Sequence, residues 1–156
     1  MGTRAAPYFI FDDSHWPLLI NRLVGDALSQ EFEEYLAQAT ESLKRNQPHV
    51  LLMDMSRAGG LSTQQRQQLA AWLRQHEEPM QRTLLGIAYV TQTPTIQLAM
   101  NVVLYLRRPV YPYILVSKED EALTWAVHRL EDSGMHASAA RIRRDLGLVS
   151  EHHRAG

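Results

Sequence analysis

The stretch PLLINRLVG (17–25) decides the fold of this chain. Read as a strand, it has Pro17 at its start, where no ladder donor is lost, and Gly25 at its exit. It then pairs back on YFIF (8–11) across the turn DDSHWP, and the close spacing makes the pair an antiparallel hairpin. Read as a helix, it would place Asp12 and Asp13 at the end of a parallel strand, beside Asp54. The proline and the exit glycine favour the strand.

Outward from that hairpin the chain alternates. SQEFEEYLAQATESLKRN (29–46) repeats Phe32, Leu36, Ala39 and Leu43 on one helical stripe. Ser29 is placed to cap it. Glu31, Glu33 and Glu34 lie near the positive end of its dipole, and Lys44 and Arg45 near the negative end. HVLLMDM (49–55) is an unbroken apolar run, as expected of a strand covered on both faces. Ser62-x-x-Gln65 matches a capping box and opens a helix over 63–78, limited by Pro79. LLGIAYV (84–90) is the next core strand. Thr93 and Pro94 read as N-cap and first position of a helix over 95–106. VYPYILV (110–116) is a further strand. Ser117-x-x-Asp120 opens a helix that Gly134 ends, and SAARIRRDLG (138–147) forms a small basic helix before a tail.

The order predicts an α/β fold. It is a single mixed sheet, mostly parallel with an N-terminal antiparallel hairpin, packed with helices. The domain is expected over 8–132, with a C-terminal helical extension and tail over 133–156.

Composition bounds the function. The 156 residues carry 45% hydrophobic and 21% charged residues and a net charge of −1, so no global field draws the chain to nucleic acid or anionic lipid. Without cysteine there is no disulfide scaffold, thiolate nucleophile or Cys-ligated metal site. No run reaches the roughly 20 apolar residues of a membrane span, and the first residues lack the apolar core of a secretory signal. A cytoplasmic location is expected.

The succession strand-helix-VLLMDMS-turn-helix resembles the STAS fold of anti-sigma-factor antagonists, and more closely its SpoIIAA-like relatives. The resemblance covers roughly 8–131. It rests on PLLINRLVG, EFEEYLAQ, VLLMDMSRAGGLSTQQRQQLAAWL, GIAYVTQTP and EALTWAVHRL. It implies a bacterial, non-enzymatic, regulatory protein–protein interaction domain. STAS antagonists carry Asp-x-Ser in the turn, then Asp-Ser-Ser-Gly at the helix start, whose first Ser is phosphorylated. Here the triplet matches Asp54, Met55 and Ser56, and the quartet falls on Ser62, Thr63, Gln64 and Gln65. Thr63 alone keeps a hydroxyl at the switch position. Asp54, Ser56, Ser62 and Thr63 are therefore the interaction or switch candidates.

Competing chemistry is weaker. GGLSTQQR is not a Walker loop, because no lysine follows the glycines. A two-component receiver would use Asp12, Asp13 and Asp54 around Mg²⁺, with Asp54 as phosphoacceptor and Thr91 and Lys118 reading the phosphate. His15, His49, His76, His128 and His136 are scattered and read as surface histidines, and His152-His153 falls in the tail. No metal, cofactor or catalytic residue is expected. Arg141, Arg143 and Arg144 read as a solvated basic face.

The helix over 95–106 has no charged residue. Ile96, Ala99, Met100 and Val103 make one apolar face, and Leu98, Val102, Tyr105 and Leu106 lie on the others. Such a helix is covered on several sides or offers a face to something else. Self-association into a homodimer, or a protein partner, is the expected cover, over Leu98, Val102, Tyr105 and Leu106. A small apolar ligand or lipid held under this helix is the alternative.

Overall fold

The computed structural model describes residues 7–148. Pro17–Gly25 is extended, and the antiparallel hairpin forms. Strand β1 (Phe9–His15) pairs antiparallel with β2 (Leu18–Gly25), Phe9 opposite Leu23 and Asp12 opposite Ile20. The turn is shorter than expected. Asp12 to His15 belong to β1, and only Trp16 and Pro17, joined by a cis peptide bond, connect the strands.

Helix α1 (Ser29–Lys44) crosses to β3 (His49–Ala58), which lies parallel to β2. Ser29 is not the cap. Leu28 holds the N-cap position, and the Glu31 carboxylate accepts its N–H at 2.9 Å. Asn46, at φ +53°, turns the chain out of the helix. Helix α2 (Thr63–Gln75) is followed by a short α3 (Glu77–Thr83) that contains Pro79 in its first turn, where a missing N–H costs nothing. The sequence pattern did not separate these two helices.

Strand β4 (Leu84–Val90), helix α4 (Pro94–Leu106) and strand β5 (Tyr113–Val116) complete the parallel part, in the spatial order β1-β2-β3-β4-β5. β5 is shorter than the apolar run suggested, because Pro112 follows Tyr111 and strand pairing starts at Tyr113. Helix α5 (Glu119–Asp132) has Lys118, not Ser117, at its N-cap. Ser133 and Gly134, at φ +81°, end it. Helix α6 (His136–Leu146) packs on α5.

Side chains alternate across the sheet. One face, with Leu18, Ile20, Val50, Leu52, Ala88 and Val90, closes on Ala122, Ala126, Val127 and Leu130 of α5 and on Ala139 and Ile142 of α6. Each of these is essentially inaccessible to water. The other face has two smaller cores. Phe32 and Tyr35 of α1 meet Tyr8, and Leu43 and Met80 meet Leu84 and Ile87. A helix can lie flat on β4 only because residue 86 is glycine: a Cβ there would stand 2.7 Å from the Trp125 ring.

Candidate functional site

The carboxyl ends of parallel strands, where loops leave a rigid sheet, are where α/β domains place recognition surfaces. β3 runs three residues past the expected strand end at 55, so Ser56 joins Asp54 within the strand. Asp54 lies opposite Arg22 in the parallel register. Arg22 Nη1 donates to Asp54 Oδ2 at 2.8 Å, and Arg22 Nη2 donates to Glu119 Oε1 at 2.6 Å. Asp54 Oδ1 accepts the Ser56 N–H at 3.0 Å. Burial pushes the Asp54 carboxyl up, but hydrogen bonds from Ser56 and Arg22 outweigh it and hold the group below its ordinary value. Glu119, from the first turn of α5, in turn raises the Arg22 guanidinium.

The turn itself is 59–62. Asp26 Oδ1 accepts the Gly60 N–H at 2.9 Å, and Gly59 N–H donates to the Gly25 carbonyl at 2.9 Å. A Cβ on Gly59 would fall 1.9 Å from Asp26 Oδ1, so glycine is needed for close approach. The expected capping box forms. Ser62 Oγ accepts the Gln65 N–H at 3.1 Å, and Gln65 Oε1 accepts the Ser62 N–H at 2.9 Å. Gln65 Nε2 also donates to the Ala27 carbonyl, tying the helix start to the β2–α1 connection. Thr63 is exposed at the first position of α2. Its Oγ1 accepts from Arg66 Nη2 at 3.1 Å, while Arg66 Nη1 holds the Leu61 carbonyl.

α4 buries one apolar stripe and leaves another exposed. Ile96, Gln97, Met100 and Leu104 turn toward the protein. Gln97 Nε2 donates to the Thr91 carbonyl at 2.7 Å. Ala99 and Val103 face out, not into a common apolar stripe with Ile96 and Met100 as expected. Leu98 is 66% exposed, Val102 49%, and Tyr105 and Leu106 73% each. The cleft behind the helix has a volume of about 300 Å³ and is lined by Gln97, Asn101, Leu115, Val116, Ser117 and Glu121. Its largely polar wall does not suit an apolar ligand.

Asp12, Asp13 and Asp54 do not converge. Asp12 accepts from Ser14 at 2.6 Å, and Asp13 accepts from Arg45 at 3.0 Å. Asp54 on β3 is engaged by Arg22 of β2. The receiver arrangement is not formed. Among the described residues no group of three His, Asp or Glu side chains could hold a metal ion. His49 is buried, not on the surface. It stacks on Trp16 at 4.9 Å, and burial pushes its imidazole below 6.5. His152 and His153 lie outside the described residues. Of the expected basic face, Arg141 and Arg144 are exposed, Arg141 donating to the Trp16 carbonyl, whereas Arg143 is drawn into an ion pair with Glu131.

Sequence reasoning missed Arg22, Glu119, Asp26 and Arg66. Arg22 sits in an apolar strand where a polar residue calls for a partner, which was the available signal. The partners of Arg22 and Asp26 lie more than thirty residues away, so spacing along the chain could not reveal them.

No family model and no curated protein matches this sequence. Solved structures do. The chain superposes on an uncharacterized protein of the DUF3478 family from Shewanella loihica PV-4 with a SpoIIAA-like fold. The TM-score is 0.62 and the identity 17%, over 81% of this chain and 98% of that one. It superposes on the anti-sigma factor antagonist SpoIIAA in its unphosphorylated form with TM-score 0.53 and 13% identity, over 75% of this chain and 96% of that one. A complex of the Pseudomonas aeruginosa diguanylate cyclase SiaD with its activator SiaC matches with TM-score 0.50 and 16% identity, over 75% of this chain and 96% of that one. These likenesses agree with the strand order and the antiparallel first pair, and the chain has the SpoIIAA-like fold of STAS proteins.

Proposed function

We propose that this chain is a non-enzymatic regulatory domain that acts by binding a protein partner, itself included, in a bacterial cytoplasm. The observation that carries the reading is the outward apolar face of α4, with Leu98, Val102, Tyr105 and Leu106 exposed. A patch of this kind on a folded domain marks an interaction surface. SpoIIAA is an anti-sigma factor antagonist, and SiaC activates SiaD in a complex.

The β3–α2 segment is the candidate switch. The Ser62 hydroxyl is occupied as a cap, whereas the Thr63 hydroxyl is exposed and already faces Arg66. A phosphate on Thr63 would meet the Arg66 guanidinium and the positive end of α2, which favours the charged product. Asp54 and Ser56 support this edge from β3.

The test is affinity capture from the native host with three forms of the chain: native, L98E/V102E and T63E. The reading expects one protein captured by the native chain, lost with L98E/V102E, and changed in amount with T63E. Equal capture by native and L98E/V102E forms would overturn α4 as the surface, and equal capture by native and T63E forms would overturn the switch.

A further inference from the structure

We infer that the Trp16 indole is a proton-released flap over His49. Near neutral pH it lies on the imidazole, and in mild acid it swings out to solvent while the backbone around it stays in place. His49 starts β3, at the far end of that strand from the turn at 59–62, so the inference stands apart from the readings of α4 and Thr63.

His49 is 2% exposed, and the half-buried Trp16 ring stacks on it with centroids 4.9 Å apart and planes 23° from parallel. The indole is held by the connection from α1 to β3. Its Nε1 donates to Gln47 Oε1 at 3.0 Å, and the Arg45 guanidinium carbon lies over the ring, 3.6 Å from its centroid. His49 Nδ1 lies 2.9 Å from the Gln47 carbonyl. A carbonyl only accepts, so Nδ1 carries the hydrogen of the neutral ring and Nε2 is the atom that would take a proton.

That proton puts a second cation on one indole. Arg45 already uses the negative potential of the ring, so an imidazolium meets a positive neighbour there and not a free π face. The surrounding charges offer no relief. Asp13 of β1 is held by Arg45 at 3.0 Å. Arg141 of α6 donates to the Trp16 carbonyl, and Arg82 of α3 is bound to Asn46 and Glu78. His15, next to Trp16 on β1, acts on Asp12. Burial first, and the Arg45 charge with it, push the His49 imidazole below 6.5, against the opposite pull of the Gln47 carbonyl. A base whose pKa is lowered in the closed form favours the open form as pH falls from 6.5 toward that lower value.

The side chain is the part free to move. The Trp16 N–H donates to the Asp13 carbonyl at 3.0 Å, the Pro17 carbonyl accepts the Val50 N–H at 2.9 Å, and Arg141 holds the Trp16 carbonyl. These bonds fix the main chain, and none passes through the indole. The bond that the indole gives up, to Gln47, is exposed, and water replaces it.

The chain has three tryptophans, so full-length protein labelled with fluorotryptophan gives one fluorine resonance for each, and W16F assigns that of Trp16. Native, H49N, H15Q and R45M chains are read from pH 7.5 to pH 5. The solvent isotope shift reports exposure of the ring, and circular dichroism reports the fold. H49N keeps a donor for the Gln47 carbonyl but takes no proton.

In the native chain the Trp16 resonance should move, and its isotope shift should rise by about twofold or more, as pH falls across that range. H49N should remove this dependence and H15Q should keep it. R45M should reduce it, because the imidazolium then has the indole to itself. A Trp16 resonance indifferent to pH overturns the proposal. So does a response that survives H49N, vanishes in H15Q or is unchanged in R45M. Loss of the circular dichroism signal in step with the resonance also overturns it, since the whole fold and not the flap then responds. Should H49N not fold, the H15Q and R45M chains decide alone.

Discussion

Arg22 on β2 and Asp54 on β3 face each other across adjacent parallel strands, with Arg22 Nη1 2.8 Å from Asp54 Oδ2. The same guanidinium reaches Glu119 at the start of α5. One side chain thus joins the hairpin, the central strand and the helix that covers the main core. D54N leaves Arg22 with half its ionic partners and should lower stability by about 1–2 kcal/mol, read from urea midpoints at neutral pH.

Asp54 also makes stability depend on acid. Its folded pKa is depressed, so its contribution is fully present above the ordinary carboxylate value of 3.8 and is lost as pH falls through the lower folded value. Urea midpoints at pH 5 and pH 3 should differ less for D54N than for the native chain. An equal drop in both would place the acid sensitivity elsewhere.

His49 acts at milder pH. Burial lowers its folded pKa below 6.5, so the unfolded chain binds the proton more readily. Stability should be full above 6.5 and decline as pH falls from that value toward the folded pKa. In H49L, thermal midpoints between pH 7 and pH 5 should flatten. The Trp16 ring stacked on His49 offers fluorescence as a second probe.

Gly59 and Gly60 should respond differently to alanine. At Gly59 the new Cβ would displace the Asp26 carboxylate that holds the Gly60 N–H, whereas nothing stands within 4 Å at Gly60. G59A should cost about 1–3 kcal/mol and G60A less than about 0.5 kcal/mol by chemical denaturation.

Ser62 and Gln65 cap each other, and Gln65 alone also reaches the Ala27 carbonyl. S62A should cost about 1 kcal/mol, the ordinary price of a lost cap. Q65A should cost more, because it also leaves the Ala27 carbonyl without this donor. Comparable losses in S62A and Q65A would show that the Ala27 bond adds nothing.

The residue pattern by itself determined the hairpin, the alternation of helices and strands, the α2 capping box and the charge-free α4. Each is local: Pro17 and Gly25 bound a strand, Ser62 and Gln65 are one turn apart, and periodicity records which face is apolar. Strand ends were less legible. β3 continues past Met55 because Arg57 and Ala58 pair with Val24 and Gly25, and β1 includes Asp12 because it pairs with Ile20. Only the tertiary structure decided that Arg22 answers both Asp54 and Glu119, that His49 is buried, and that α4 buries Leu104 while turning Leu98 and Leu106 to the surface. Those outcomes depend on which distant elements meet, since burial and ion pairing are properties of neighbours in space.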